Sequence, residues 1–245
     1  MSQRILVGID DTDNLESRGT GYRARQLGAW LADYEASVGA ITRHQLLVDS
    51  RIPYTSHNSS ACLELSSERS GADLFQVCRQ FLHQESAEGS DAGLCVARWE
   101  QIDECLVTFG RRAKREVLTM REAETLAEAR QVLLEGVTGT GGGVIGALAA
   151  VGLRVWGDDG RVLWLPRLRE SEGVFTSAQL CHQVGVDAVE TEAGVLVPPD
   201  DHVSLGEWPR PLMRAGRVVL LVEEIDHAEY QWVVVDKSRI KQLSE

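Results

Sequence analysis

Apolar and polar positions follow two rhythms along this chain, one of period two or less and one of three to four residues. Ile5-Leu6-Val7-Gly8-Ile9 is a short run rich in β-branched residues that ends in acids. It reads as a buried strand whose C-terminal end opens into a loop. From Tyr22 the positions Ala24, Leu27, Leu31 and Tyr34 recur at three and four residues, which marks one helical face. Strands are expected over 43–49 and 61–65, then a helix over 72–81 with Leu74, Val77, Cys78 and Phe81 inward, then an alternating strand over 94–99. The order β-α-β-β-α-β predicts a ferredoxin-like unit, a split βαβ arrangement.

The second half is less regular. A helix is predicted over 120–133, with acids near its start and Leu126, Ala129 and Leu133 at helical spacing. A glycine-dense loop, 136–143, leads straight into a short apolar helix over 144–151. Gly157-Asp158-Asp159-Gly160 is a turn signal, so 153–156 and 162–165 are expected to form a hairpin. Another helix is predicted over 176–183, and strands over 195–197, 218–222 and 231–235. The fold class is therefore α/β (α+β). A ferredoxin-like unit over 1–115 carries the acidic loop after the first strand, packed with a second mixed α/β unit over 116–245 that carries the glycine-rich loop.

Composition narrows the function classes. At 43% hydrophobic over 245 residues the chain can bury a real core. No stretch approaches the roughly 18 consecutive apolar residues of a membrane span, and acids occupy the place of a signal peptide's apolar run. A cytoplasmic protein with no membrane partner is expected. Five scattered cysteines, without paired spacing, read as small buried hydrophobes. The net charge of −12 argues against a broad nucleic-acid binder, which neutralises phosphates with surplus Lys and Arg. One local cationic cluster, Arg111-Arg112-Ala113-Lys114-Arg115, reads either as a solvated helix face or strand end or as a dock for an anionic substrate.

Two constellations carry chemistry. In Asp10-Asp11-Thr12-Asp13, three carboxylates lie within four residues. Ionised together they repel one another unless a cation sits among them, and a hard divalent ion such as magnesium takes carboxylate, phosphate and water oxygens. Alone the segment reads equally as an exposed acidic turn. Ser17-Arg18-Gly19-Thr20-Gly21 adds small residues and hydroxyls at a helix start, a natural anion site. In the loop 136–143, glycines let backbone amides approach a phosphate, the following helix end adds its dipole, and Thr138 and Thr140 are spare hydroxyls. It is neither a Walker A loop nor a clean GxGxxG, and a plain turn is an equal reading.

The blocks Gly8-Ile-Asp-Asp-Thr-Asp13, Ile52-Pro-Tyr-Thr-Ser-His-Asn58 and Gly142-Gly-Val-Ile-Gly-Ala-Leu-Ala-Ala-Val-Gly152, in that order, resemble those of archaeal tRNA-isoleucine agmatidine synthetase. Loosely, the resemblance covers residues 1 to 225. That enzyme uses ATP to activate a cytidine of tRNA and couple agmatine to it. Its kinase-like and ferredoxin-like parts are followed by an OB-fold and a zinc ribbon that handle tRNA. The resemblance implies a kinase-like character for the second unit, magnesium and phosphate at Asp10, Asp11 and Asp13, and Thr20 near the transferred phosphoryl group. Gly141 to Gly143 with Gly146 would belong to the nucleotide surface. The departures are a chain without room for the OB-fold or cysteines for a zinc ribbon, and Thr55, Ser56 and His57 where the family places Lys and Arg.

The expectation is an ATP- and Mg2+-dependent phosphoryl-transfer or ligase-like enzyme, with a small-molecule acceptor favoured over tRNA. Asp11, Thr20 and His57 are the candidate catalytic residues, although a lone loop histidine is more often a surface residue. Gly19, Gly21, Thr138, Thr140, Gly141, Gly142, Gly143 and Gly146 are candidates for binding the nucleotide. The alternatives are a non-catalytic nucleotide-binding regulatory module, or a catalytic subunit served by a separate RNA-binding partner. Homo-oligomerisation, the acceptor's identity and the ATP bond cleaved are left open.

Overall fold

A computed structural model describes residues 2–55 and 57–244, so Ser56 lies outside the described residues. The chain divides into two units, Met1–Trp156 and Gly157–Glu245.

The first unit is built from β1 (Gln3–Asp10), α1 (Thr20–Ala32), β2 (Ala36–Gln45), β3 (Ser59–Ser67), α2 (Gly71–Glu85), β4 (Gly93–Arg98), α3 (Glu104–Ala113), α4 (Met120–Arg130), β5 (Leu133–Gly136) and α5 (Val144–Trp156). Its strands lie in the order β5-β4-β1-β3-β2, every neighbour antiparallel. The inner four strands follow the ferredoxin-like order, with β5 added beside β4. Helices α1 and α2 pack on the sheet from one side and α5 from the other, which is why β1 is buried continuously from Ile5 to Asp10. Along β1 successive side chains alternate, so Leu6, Gly8 and Asp10 all point toward α5.

Helix α5 is buried on all sides from Gly146 to Arg154. Its Gly-Ala-Leu-Ala-Ala-Val-Gly run keeps the backbone close to its neighbours. A Cβ on Gly8 would lie 2.1 Å from the Ala147 carbonyl oxygen, so the strand and helix approach at a distance only glycine permits. On its other side α5 meets α3 and α4, whose Leu106, Phe109 and Ala127 join the same core.

Several sequence expectations are corrected. The strand predicted over 43–49 is β2, which lies earlier; a bulge between Val38 and Ile41 breaks its alternation, and the apolar residues after Gln45 belong to a loop instead. The helix predicted to 133 stops at Arg130 because Gln131 takes the left-handed conformation, φ 54°, and Leu133 then enters β5. Residues 153–156 form the last turn of α5, not a hairpin strand. They continue its buried face until Gly157, φ 73°. Helix α3, capped by Asp103, was not anticipated. The division therefore falls after Trp156 and not near 115, because β5 and α5 complete the first sheet's layers.

The second unit contains β6 (Arg161–Trp164), β7 (Val174–Thr176), α6 (Ser177–Gln179) with a π-helical continuation to Val184, β8 (Ala188–Glu190), β9 (His202–Ser204), β10 (Leu212–Arg214), β11 (Arg217–Glu224), β12 (Trp232–Val234) and α7 (Lys237–Leu243). Its strands run β6-β10-β11-β12-β9-β7, with β8 parallel to β11. Ala188, Leu212, Val219, Leu221, Val235 and Ile240 form a core there. The strand predicted over 195–197 is present only as a single bridge between Glu190 and Leu196. Among the described residues no helix is long and apolar enough to cross a membrane.

Candidate functional site

The register of β1 against β4 sets Asp10 opposite Gly93, so the loop leaving β1 and the loop entering β4 lie side by side. The N-terminal turn of α5 covers both. Asp10 is 9% exposed, and a Cβ on Gly146 would come 1.7 Å from its Oδ2, so the glycine is the space the carboxyl occupies. Burial first, then the neighbouring Asp11 charge, pushes the Asp10 pKa from 3.8 up to about 8. Asp11 is held at φ 51°, an uncommon conformation for a residue with a Cβ. Its pKa is raised to about 6, by burial and then by the charges of Asp91 and Asp13.

Asp13 is hydrogen-bonded through both carboxylate oxygens. Its Oδ1 accepts from the Thr20 amide at 3.1 Å and the Thr20 hydroxyl at 2.8 Å, and its Oδ2 accepts from the Thr55 hydroxyl at 2.7 Å. The N-cap position of α1 is Gly19, which has no side chain to cap with, and Asp13 supplies the missing acceptor. One carboxylate therefore ties together the acidic loop, α1 and the middle sequence block.

In the glycine loop, Gly139 and Gly141 are left-handed, at φ 56° and 74°. The Thr138 hydroxyl is not spare as expected: it donates to the Ser90 carbonyl at 2.8 Å and accepts from the Ala92 amide at 2.9 Å. The Thr140 amide donates to Asp91 Oδ1, and the Gly143 amide donates to the Asp91 carbonyl at 2.9 Å.

These pieces enclose a cavity of about 320 Å3. Its acidic end is lined by Asp10, Asp11, Asp13, Thr20 and Asp91 together with Thr140, Gly142, Gly143 and Gly146. Ile52 to Thr55, His57 and Asn58 form a second wall, and Leu46, Val117, Leu118, Met120 and Ile145, with Glu116, form an apolar one. All three sequence blocks thus converge on one space. Gly19, Gly21, Thr138 and Gly141 are not among its lining residues. His57 lines it while remaining exposed. In the Arg111–Arg115 cluster, Arg112 pairs with Glu122 and with the cavity-lining Glu116, Arg111 lies over Trp156, Lys114 reaches the Gln45 carbonyl, and Ala113 lines the cavity.

Among the lining residues that escaped the sequence reading are Asp91 and Arg51. Asp91 was readable only through the antiparallel register, which brings the start of β4 to the end of β1. Arg51 sits beside the middle block, its guanidinium held in a two-point pair by Asp49 at 2.8 Å on each arm. Among the described residues, no three or more His, Cys, Asp or Glu side chains converge as a preformed metal cage.

No protein-family model matches the chain, and no curated protein matches it in sequence. Solved structures do match. Apo TiaS, an isoleucine-tRNA agmatidine synthetase, shares 25% identity over 61% of this chain with a TM-score of 0.54. A tRNA fluorescent labelling enzyme shares 27% over the same 61%, also at 0.54. The chain is TiaS-like. A complex of TiaS with its isoleucine tRNA, AMPCPP and agmatine extends the likeness in fold to 98% of the chain at 18% identity and a TM-score of 0.55. This TiaS-like chain spans 35%, 36% and 55% of the length of those three structures.

Proposed function

We propose that the chain is an ATP- and Mg2+-dependent phosphoryl-transfer or ligase-like enzyme whose reaction takes place in the cavity at the end of β1. The observation that carries this reading is the meeting of three separated sequence blocks around one cavity. A TiaS complex with isoleucine tRNA and ATP, matched in fold over 98% of this chain, supports ATP as the nucleotide.

The donor set fits a hard divalent cation. Asp10 and Asp11 offer only carboxylate oxygens, and burial first and the neighbouring carboxylates second make both hold protons more tightly than an ordinary Asp. Magnesium binds through one or two carboxylates plus substrate phosphates and water, and so requires no cage made by protein alone. Asp10 and Asp11 would hold it, and when bound it offsets the charge on the phosphates. Asp13 keeps α1 and the middle block in place. The Gly142 and Gly143 segment, at the N-terminal end of α5, lies where backbone N–H groups stabilise phosphate charge.

The acceptor is proposed to be a small molecule. The cavity presents Asp10, Asp11, Asp13 and Asp91, while its one arginine, Arg51, is paired with Asp49 and its Glu116 with Arg112. A polyanionic backbone would be repelled there, and the −12 net charge adds to the effect. TiaS is solved with isoleucine tRNA and agmatine, so tRNA is the reading to test against.

The test is calorimetric titration with ATP, with and without magnesium, followed by analysis of the nucleotide products. Magnesium-dependent binding with release of ADP or AMP is expected, and the product identifies the bond broken. Absence of ATP binding in either condition overturns the proposal. Turnover stimulated by tRNA but by no small amine, alcohol or acid overturns the acceptor assignment alone.

A further inference from the structure

We propose that Asp91, at the entry to β4, is the positioning residue that sets the glycine loop in its ligand-ready shape by holding the Thr140 amide. The inference rests on the nucleotide reading above and adds to it a residue outside all three sequence blocks.

The loop is wrapped around this carboxyl. A Cβ on Gly139 would lie 2.1 Å from Asp91 Oδ1, so the chain there passes closer than any other residue would allow. Further bonds fasten the loop to the same short segment, four of them at 2.9 Å or less. The Val137 amide donates to the Ala92 carbonyl at 2.7 Å, and the Gly143 amide to the Asp91 carbonyl. The Thr138 hydroxyl bridges the Ser90 carbonyl and the Ala92 amide. None of these four uses the Asp91 side chain, so they fix the ends of the loop whatever residue stands at 91.

In the middle of the loop the Asp91 side chain does take part. Thr140 lies between Gly139 and Gly141, both left-handed, in a stretch whose glycines leave the backbone many alternative conformations. The Gly141 amide donates to the Thr138 carbonyl at 3.0 Å, and the bond from the Thr140 amide to Asp91 Oδ1 is, among the described residues, the one side-chain bond to a backbone amide of 139–141. Thr140 and Gly142 line the cavity, so fixing one presents the other. A charge-assisted bond is stronger than a neutral one, which suits a residue that must order a glycine-rich segment.

Two variants separate position from charge. Asp91→Asn keeps an Oδ1 acceptor for the Thr140 amide and loses the charge, whereas Asp91→Ala loses both. Hydrogen exchange over 138–143, measured on the nucleotide-free protein, reads the loop directly. Asp91→Ala is expected to speed exchange at Thr140 and to weaken Mg-ATP binding by about tenfold, the worth of one charge-assisted hydrogen bond. Asp91→Asn is expected to stay within about threefold of the parent in both, its neutral bond being somewhat weaker. Unchanged exchange in Asp91→Ala overturns the proposal, and so does an Asn variant as impaired as the Ala variant, which would mean that Asp91 acts through its charge. If no form binds ATP, the nucleotide reading falls, and the exchange data still decide whether Asp91 positions the loop.

Discussion

Replacing Asp10 by Asn should make the protein more stable and less able to bind nucleotide, with the stability gain growing as pH rises. The folded protein holds the Asp10 proton up to about pH 8, whereas the unfolded chain releases it near 3.8. Between those values the native state binds more protons than the unfolded state, so stability is greatest below pH 3.8, falls as pH rises, and levels off above about 8. At pH 7 retaining that proton costs about 4 kcal/mol, and relaxation with water entry reduces the realised cost to about 2. Asn has the shape of the protonated acid without the proton uptake. Its second amide hydrogen lacks a sure acceptor, which takes back about 1 kcal/mol. Urea unfolding of both forms at several pH values between 4.5 and 8.5, with chelator present, reads the difference. The two stabilities should be close at the acid end and diverge by about 1–3 kcal/mol at the alkaline end. Parallel curves, or an Asn variant weaker throughout, would refute the claim that burial and the Asp11 charge hold Asp10 in its protonated form.

Gly146→Ala gains about 1 kcal/mol of helix propensity but drives a methyl into Asp10, an overlap costing about 1–3 kcal/mol. Mg-ATP binding should fall at least tenfold with the circular dichroism unchanged, and the double variant with Asp10→Ala should recover the lost stability. Thr55→Val removes the 2.7 Å bond to Asp13; a loss of about 1 kcal/mol and faster hydrogen exchange in 46–58 are expected, and unchanged exchange would show that the bond does not order the loop. Arg154, its side chain 5% exposed, pairs with Glu64, which also pairs with Arg4 at 2.5 Å. Arg154→Ala should cost about 3 kcal/mol in chemical denaturation and leave the ATP affinity of the folded protein within about twofold.

Legibility in the sequence followed the length scale of each signal. Helices α1 and α2 and strands β1, β3 and β4 were readable because each buries a repeating face, and their order alone predicts the ferredoxin-like sheet. Features resting on a single backbone conformation were not. Gln131 ends α4 in a left-handed turn that nothing in its side chain announces, and the β2 bulge hides the strand's alternation. The acidic and glycine-rich motifs were visible as motifs. Their meeting depends on α5 crossing β1 closely enough for Gly146 to lie over Asp10, a tertiary contact between residues far apart in sequence. Asp91 has no motif around it, and only its register gives it a place. Thr138 shows the opposite error: a hydroxyl that composition marks as available is occupied by the turn before β4.

The acidic loop could still have been a surface turn, and its energetics separate the two readings. A solvated turn would leave its carboxylates near their ordinary pKa values and would impose no strain. Here Asp10 is buried under a helix at a position that forces glycine on the residue above it, and Asp11 is held in a conformation unfavourable for its side chain. Each feature lowers stability, and Asn at either position would relieve the electrostatic part. Asp13 marks the contrast within the same segment, since its carboxylate is satisfied by Thr20 and Thr55 and needs nothing further to explain it. Structural need thus accounts for one of the three acids. The other two break local rules, and the Asp11 amide and the Arg43 charge offset the burial of Asp10 only in part, the pattern expected under the proposed function, in which a bound cation would supply further positive charge.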